Sequence, residues 1–426
     1  MTSIQLPYGS TFHTIELPPA NLKGIFTPKR VSPCEDIPAE LFQSISQPLR
    51  SVLLTSKRSQ GGKVIILVDD QTRTTPAYLV LPTVLAELNQ SGIKDDDISI
   101  LVTHGTHRQA TEQEVRKKIG DRVYENYRIL QHDCQQESQQ VFVGLTSRGT
   151  PLWFNREVIG ADFRIGVGHI GPSPFAGYSG GGKLILPGIA SLDTINANHT
   201  LVPLGFRQFA STDIPCRMDI DEAARFVPFD FLIDIVQCQD GSIAKIFAGS
   251  VERVYREGLV LARQIFEVPH EGLADFAITS AYPYDYDLYQ GVRAIEFGDA
   301  AVKKGGAILA VASCPFGIGG DEFFSLLSAP GGDAEFYLRK ITRRQGKVTY
   351  NVIAYALARI RAEKQIYMLT DGIDPADLRR IGIIPVDSLQ DTISLLLDRF
   401  GDSASVSVFP SGSSTIPIND SGGDPI

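Results

Sequence analysis

Cysteine and tryptophan are scarce in this 426-residue sequence, with five of the first and one of the second. The cysteines (Cys34, Cys134, Cys216, Cys238 and Cys314) are odd in number, widely spaced and free of any C-x-x-C pair. That pattern suits reduced, mostly buried thiols and a cytoplasmic location rather than a disulfide frame. No apolar run approaches the roughly 18 residues that a membrane span needs. The opening MTSIQLPYGS lacks the basic start and apolar stretch of a signal peptide. Positive charge is also short: the net charge of −9 argues against nucleic acid as the main partner. There is no internal repeat at a fixed period. Trp153 lies outside the polar loops described below and reads as a packing residue.

What is present is alternation. Val/Ile-rich runs at 63–70, 97–105, 162–170, 229–236 and 274–281 read as buried parallel strands. Between them lie helical patterns at 79–88, 111–119 and 251–268, the last with apolar residues on one stripe. Strand and helix in turn give an α/β architecture. EVPHEGL (267–273) breaks the pattern, which restarts as strand 274–281, helix 288–302, strand 306–313, helices to about 361, strand 365–370, helix 387–400 and strand 404–409. The expected organisation is two α/β domains with mainly parallel sheets and an active-site cleft between them. The divisions are 1–270 for the N-terminal domain, 271–410 for a C-terminal domain closing on the substrate, and 411–426 for an extended or partly disordered tail.

Four loops after strands carry unusual polar residues, where open α/β sheets bind ligands. DDQTRTTP supplies Asp70 and Arg73; Asp70 equally reads as a helix cap, whereas an arginine there suits a carboxylate or phosphate. THGTHRQAT supplies His104, His107 and Arg108, with His107 the candidate for proton transfer. YPYDYDLYQGVRA places Tyr289, Gln290 and Arg293 at a helix start, Gln290 and Arg293 sharing a face. The fourth loop, GYSGGGKLILPG, nearly spells a phosphate loop around Lys183. It fails as one: Leu184 replaces the hydroxyl residue, and Pro187 with Gly188 stops any helix. What remains is a glycine run with a lysine inside it, which could lose its proton in a partly desolvated site. His199 alone is weak evidence of metal, since zinc sites want three or four protein ligands.

Together DDQTR, THGTHR, AGYSGGGKLILPGI…NANH and YQGVRA resemble the nickel-dependent lactate racemase family, over nearly the whole chain. The resemblance implies a nickel-pincer nucleotide: a pyridinium mononucleotide that holds nickel through two sulfurs and a ring carbon. It implies that Lys183 carries this cofactor through a thioamide and that His199 gives the remaining nickel ligand. Asp70, Tyr289, Gly180, Gly181, Gly182 and Pro187 would border it, the glycines letting a flat ring lie against backbone. The implied reaction inverts a 2-hydroxy acid by hydride transfer to and from the cofactor. His107 would act as acid/base, Arg73 and Arg293 as carboxylate clamps and Gln290 as an orienting hydrogen-bonder. Cofactor-synthesis enzymes would be needed as partners; neither membrane nor nucleic acid is expected. Two positions depart from the family. Ser173 stands where a second histidine is expected, with His169 or Tyr178 as possible substitutes, and Arg293 stands where lactate racemases have lysine. Both point away from lactate as substrate. The other readings left open are hydride transfer on one face only, and a protein that binds a nucleotide or anion without turnover.

Overall fold

The structure is a computed structural model that describes residues 1–49 and 62–419. Near the N-terminus, β1 (Thr2–Tyr8) and β2 (Thr11–Leu17) form a hairpin, followed by β3 (Leu22–Ile25). The first unit is then built from β4 (Val64–Asp69), β5 (Ile98–Thr103), β6 (Arg128–Gln131), the hairpin β7 (Gln140–Leu145) and β8 (Pro151–Asn155), and β9 (Phe163–His169). A two-residue ladder, β10 (Pro172–Ser173) with β11 (Gly177–Tyr178), precedes β12 (Phe231–Gln237) and β13 (Ile243–Gly249). The second unit holds β14 (Glu267–His270), β15 (Ala274–Ser280), β16 (Val302–Val311), β17 (Gln365–Leu369), β18 (Ile384–Pro385), β19 (Val406–Phe409) and β20 (Ile416–Asn419).

Two six-stranded sheets organise these strands. The first runs β13-β12-β9-β4-β5-β6, parallel except for the antiparallel edge strand β13. The second runs β18-β17-β16-β15-β19-β3 and is parallel throughout. The fold is therefore α/β with mainly parallel sheets. The run VIILVD in β4 is buried at every position, as a strand covered on both faces must be. Helix Ala77–Gln90 covers one face with Val80, Leu81, Val84, Leu85 and Leu88, which pack with Ile66, Val68, Ile100 and Val102. Each such buried side chain contributes about 1.5–3 kcal/mol. Among the described residues, no helix is long and apolar enough to cross a membrane.

The chain departs from the expected division at 270 in two places. β3 pairs with β19, and Ile4, Leu6, Ile15 and Leu17 of the first hairpin share a core with Phe276 and Ile278, so residues 2–25 join the second unit. The segment expected as a loose tail is ordered as far as 419: Gly412, Ser413 and Ile416 are buried, and β20 pairs with β14. Residues 420–426 lie outside the described residues. The same pairing ends the helix expected over 251–268 at Phe266, because Glu267–His270 is drawn into a strand.

A buried charge cluster ties the units together. Asp299, fully buried at the end of helix Leu288–Asp299, accepts from Arg207 Nε at 2.7 Å and from Lys364 Nζ at 2.6 Å. Removing one partner of a buried pair strands the other charge, at a cost of about 3–5 kcal/mol. Asp299→Ala is expected to lose stability on that scale in denaturant unfolding; an unchanged midpoint would show that the cluster holds nothing together.

Candidate active site

In the first sheet the chain leaves β4 for β5 on one side and returns to β9 on the other, so the strand order reverses beside β4. Such a reversal opens a crevice at the carboxyl ends of the strands. Asp69 ends β4 and Asp70 follows it; His104 follows β5, and His169 ends β9. Asp70 does not cap the next helix, whose start at Ala77 has no side-chain cap. It accepts instead from Thr72 N at 3.0 Å and Thr72 Oγ1 at 2.6 Å, and lies 2.6 Å from His107 Nδ1. Burial works to raise its pKa, but His107, His104 and Arg73 outweigh that and hold it well below the usual carboxylate range. A fixed carboxylate on Nδ1 orients the His107 ring and leaves Nε2 as the nitrogen available for proton transfer.

The neighbouring Asp69 holds a second histidine. It pairs with Lys118 at 2.5 Å, accepts from the Thr75 hydroxyl and lies 3.1 Å from His169 Nδ1. Thr75 Oγ1 is itself 2.8 Å from His169 Nδ1, and burial lowers that imidazole's pKa. Arg108, from the same loop as His107, turns outward to Glu114 and donates to Tyr286 of the second unit at 2.6 Å.

Lys183 sits in a single 3₁₀ turn, Gly181–Leu184, with no helix until Leu192. Gly180, just before the turn, and Gly181, its first residue, hold left-handed φ values of 85° and 61°. A Cβ on Gly180 would lie 2.6 Å from Ile170 Cγ1, and one on Gly181 would lie 2.9 Å from Arg217 Nη2. The glycines thus admit protein rather than open space on their crowded side. Arg217, fully buried, donates to the carbonyls of Tyr178 and Gly180, both at 3.2 Å, and its guanidinium lies 3.7 Å above the Tyr255 ring. Asp234 accepts from Gly181 N at 2.8 Å, and burial raises its pKa to about 7.

Held this way, Lys183 Nζ donates to Ser173 Oγ at 3.1 Å, across from the β10–β11 ladder. Burial pushes the lysine down to about 7, with repulsion from Arg73, Arg217 and Arg293 adding to it. His199 ends helix Leu192–His199; its Nδ1 is 3.1 Å from Thr349 Oγ1 and its ring meets Phe175 edge-on at 5.5 Å. Burial, then Lys183 and His107, lower its pKa to about 3, so it is neutral with a nitrogen to spare. Among the described residues, no three His, Cys, Asp or Glu side chains converge as a metal site. A metal at His199 would need donors from outside the chain.

The second unit supplies the facing wall from helix Leu288–Asp299, capped by Asp287, which accepts from Gln290 N at 2.7 Å. Arg293 lies 3.9 Å over the Tyr284 ring and donates to Gln290 Oε1 at a long 3.4 Å. Burial lowers its pKa to about 10. Tyr289 meets His107 edge-on at 6.2 Å.

Two adjoining lobes result. A lobe of about 70 Å³ is lined by Asp70, His169 and Gly180, together with Arg73, His107, Lys183 and Pro187. A second, of about 110 Å³, shares those last four and adds Ser173, His199, Tyr289, Gln290 and Arg293. Besides the outward-turned Arg108, three of the residues singled out in the sequence stand apart from both. Gly181 and Gly182 face packed protein, and the Tyr178 hydroxyl donates to Glu267 Oε1 at 3.0 Å. Glu296, Thr349 and Phe175 line the second lobe without having been singled out. Glu296 is three residues beyond Arg293 on one helical face, a spacing that carries the signal; Thr349 offers none.

A buried amine, an imidazole on a carboxylate and two guanidinium groups come together between two α/β units, a set of charges that suits a small anion. The chain belongs to the lactate racemase family: the lactate racemase N-terminal domain model matches residues 8–208 and the C-terminal domain model residues 270–417. At family level that makes it a racemase-type isomerase. It is 29% identical to lactate racemase of Thermoanaerobacterium thermosaccharolyticum, over 98% of this chain and 99% of that protein. It is also 29% identical to lactate racemase of Lactiplantibacillus plantarum, over 97% of this chain and 99% of that one. The solved lactate racemase apoprotein from T. thermosaccharolyticum superposes with a TM-score of 0.88, covering 98% of this chain and 100% of its own. A Thermotoga maritima protein, 19% identical with a TM-score of 0.71 over 90% of this chain and 97% of its own, shares the fold.

The lowered pKa of Lys183 has a measurable sign. The folded amine binds fewer protons than an unfolded lysine between about 7 and 10.5. This group therefore destabilises the fold most below about 7, and the penalty fades as pH rises toward 10.5. Competitive labelling with an amine reagent, read by peptide mapping, is expected to give Lys183 a midpoint near 7, raised by Arg73→Gln. A midpoint near 10.5 would contradict the environment described.

Proposed function

We propose that the protein racemises or epimerises a 2-hydroxy acid other than lactate, using a nickel-pincer nucleotide attached to Lys183. The observation that carries this reading is the buried Lys183 amine, lowered to about 7, on the wall shared by both lobes. An amine in that state suits covalent attachment better than a protonated lysine does. The residues present fit the group. His199 offers one neutral nitrogen, with Thr349 fixing the ring from Nδ1, and a cofactor that brings its own donors needs no more. Asp70, Gly180 and Pro187 would border the nucleotide in the first lobe, and Tyr289 in the second. When bound, the cofactor supplies a reversible hydride acceptor for the substrate carbon.

The chain's own residues do the rest. Arg73 and Arg293 bind the substrate carboxylate from the two units, with Gln290 orienting it. His107 Nε2 takes and returns the hydroxyl proton, and Asp70 stabilises the imidazolium that forms. Contact between the units keeps water from the reacting carbon. Two residues support a substrate other than lactate. Ser173 carries no base and is engaged by Lys183, and Arg293 offers a wide planar fork where a lysine would offer a point charge. Cofactor-synthesis enzymes would supply the nucleotide in the cytoplasm.

Enzyme co-produced with cofactor-synthesis proteins is expected to convert one enantiomer of a 2-hydroxy acid, deuterated at the hydroxyl-bearing carbon, into the other with the label retained. His107→Asn is expected to slow this by about 10²–10⁴-fold. Accumulated 2-keto acid without the opposite enantiomer would favour hydride transfer on one face, the reading that Ser173 motivates. Tight cofactor retention with no turnover on any acid would make it a binding protein.

A further inference from the structure

Glu296 is a buried carboxylic acid with no role in the chemistry of Lys183, His107 and the arginine pair. It lines the second lobe from helix Leu288–Asp299, 4% exposed. Among the described residues, no hydrogen bond or close ion pair satisfies its carboxylate; Arg293 and Asp299 reach it only as longer-range charges. A buried carboxyl without a partner is costly, and one kept at the wall of a cavity has a use for its proton. The other titratable groups of that lobe are committed. His107 is held by Asp70, His104 by Gln131, His199 by Thr349, Lys183 by Ser173, Arg73 by Thr72, Tyr289 by Thr106, and Arg293 by Tyr284 and Gln290. Inverting a carbon that bears a hydroxyl needs proton transfer to oxygen from two directions. The first unit provides His107, and the second unit provides no other free acid or base in the lobe.

We infer that Glu296 is the second acid/base, carrying the hydroxyl proton on the side of the cavity that the second unit forms. The inference rests on the hydroxy-acid reading. For one enantiomer, the hydroxyl proton passes to the Glu296 carboxylate as the carbon's hydrogen leaves with its electron pair for the bound hydride acceptor. The cofactor, when bound, would accept and return that hydrogen with its electron pair, and His107 gives a proton to the carbonyl oxygen, so the reaction is redox-neutral overall. For the opposite enantiomer the two residues exchange roles. Burial, opposed by Arg293 and assisted by Asp299, raises the Glu296 pKa to about 8, within the range in which a group both takes and gives a proton. Arg73 and Lys183 face it across the lobe, and Arg207 with Lys364 neutralises Asp299 behind it.

The test compares wild type, Glu296→Gln and Glu296→Asp as nickel-loaded enzymes on the hydroxy acid that wild type turns over fastest. Glu296→Gln is expected to keep its nickel and a KM within about threefold, and to lose about 10²–10⁴-fold in kcat. Glu296→Asp recovers part of the loss, and the wild-type pH limb near 8 is absent from the residual glutamine activity. In a single turnover, the glutamine variant forms 2-keto acid from one enantiomer and not from the other. A kcat within tenfold of wild type, or a KM raised tenfold at unchanged kcat, overturns the inference, the latter because Glu296 would then only contact the substrate's tail. Glycolate binding to the unloaded proteins, followed by calorimetry near pH 8 in two buffers, decides independently of loading. More proton uptake by wild type than by Glu296→Gln supports the role, and equal uptake refutes it. A wild type that never binds nickel would sink the cofactor reading while leaving the glycolate comparison to judge Glu296.

Discussion

The site depends on one constraint: a lysine amine kept out of water, among positive charges, at the meeting of two sheets. Each feature around Lys183 serves that condition. The turn that presents it is seated on the buried Arg217 and Asp234, so its backbone cannot drift toward solvent. Arg73 from the first unit and Arg293 from the second add positive potential without adding an anion that would hold the proton on Nζ. The amine is left with a serine hydroxyl as hydrogen-bond partner, and a serine oxygen does not fix its charge.

The same charges that unload the lysine prepare the cavity for an anion. Although the chain as a whole carries −9, the second lobe gathers Arg73, Lys183 and Arg293 against the single carboxyl of Glu296. A carboxylate entering there relieves the repulsion, so binding and local electrostatics favour the same outcome. The helix that brings Arg293 also brings Glu296 and ends in Asp299, whose clamp on Arg207 and Lys364 sets where that wall stands. Position of the second unit and chemistry of the lobe are therefore linked through one helix of twelve residues.

Much of the framework was legible in the chain. β4, β5, β9, β12 and β15 are short β-branched runs bounded by turn residues, and both faces of a parallel sheet select for that pattern. The polar loops were legible because they follow those strands. Pairings between distant segments were not. β3 meets β19 and β14 meets β20 across well over a hundred residues each, and nothing local in LKGI or IPIN announces a partner. In sequence the glycine block suggests room for a flat ring, yet Gly181 and Gly182 are needed where Arg217, Tyr255 and Ala224 press close. Thr349 leaves no mark in the sequence because a hydroxyl behind an imidazole has no periodicity, whereas Glu296 shares a helix face with Arg293.

The attachment of a cofactor to Lys183 is the claim on which the proposed chemistry stands. Intact-mass spectrometry with peptide mapping, on protein co-produced with cofactor-synthesis enzymes, addresses it most directly. The account predicts one added nucleotide mass on the peptide that contains Lys183, with one nickel per chain, and neither in Lys183→Ala. An unmodified Lys183 in protein that nevertheless racemises a hydroxy acid, or stoichiometric nickel in Lys183→Ala, would contradict it.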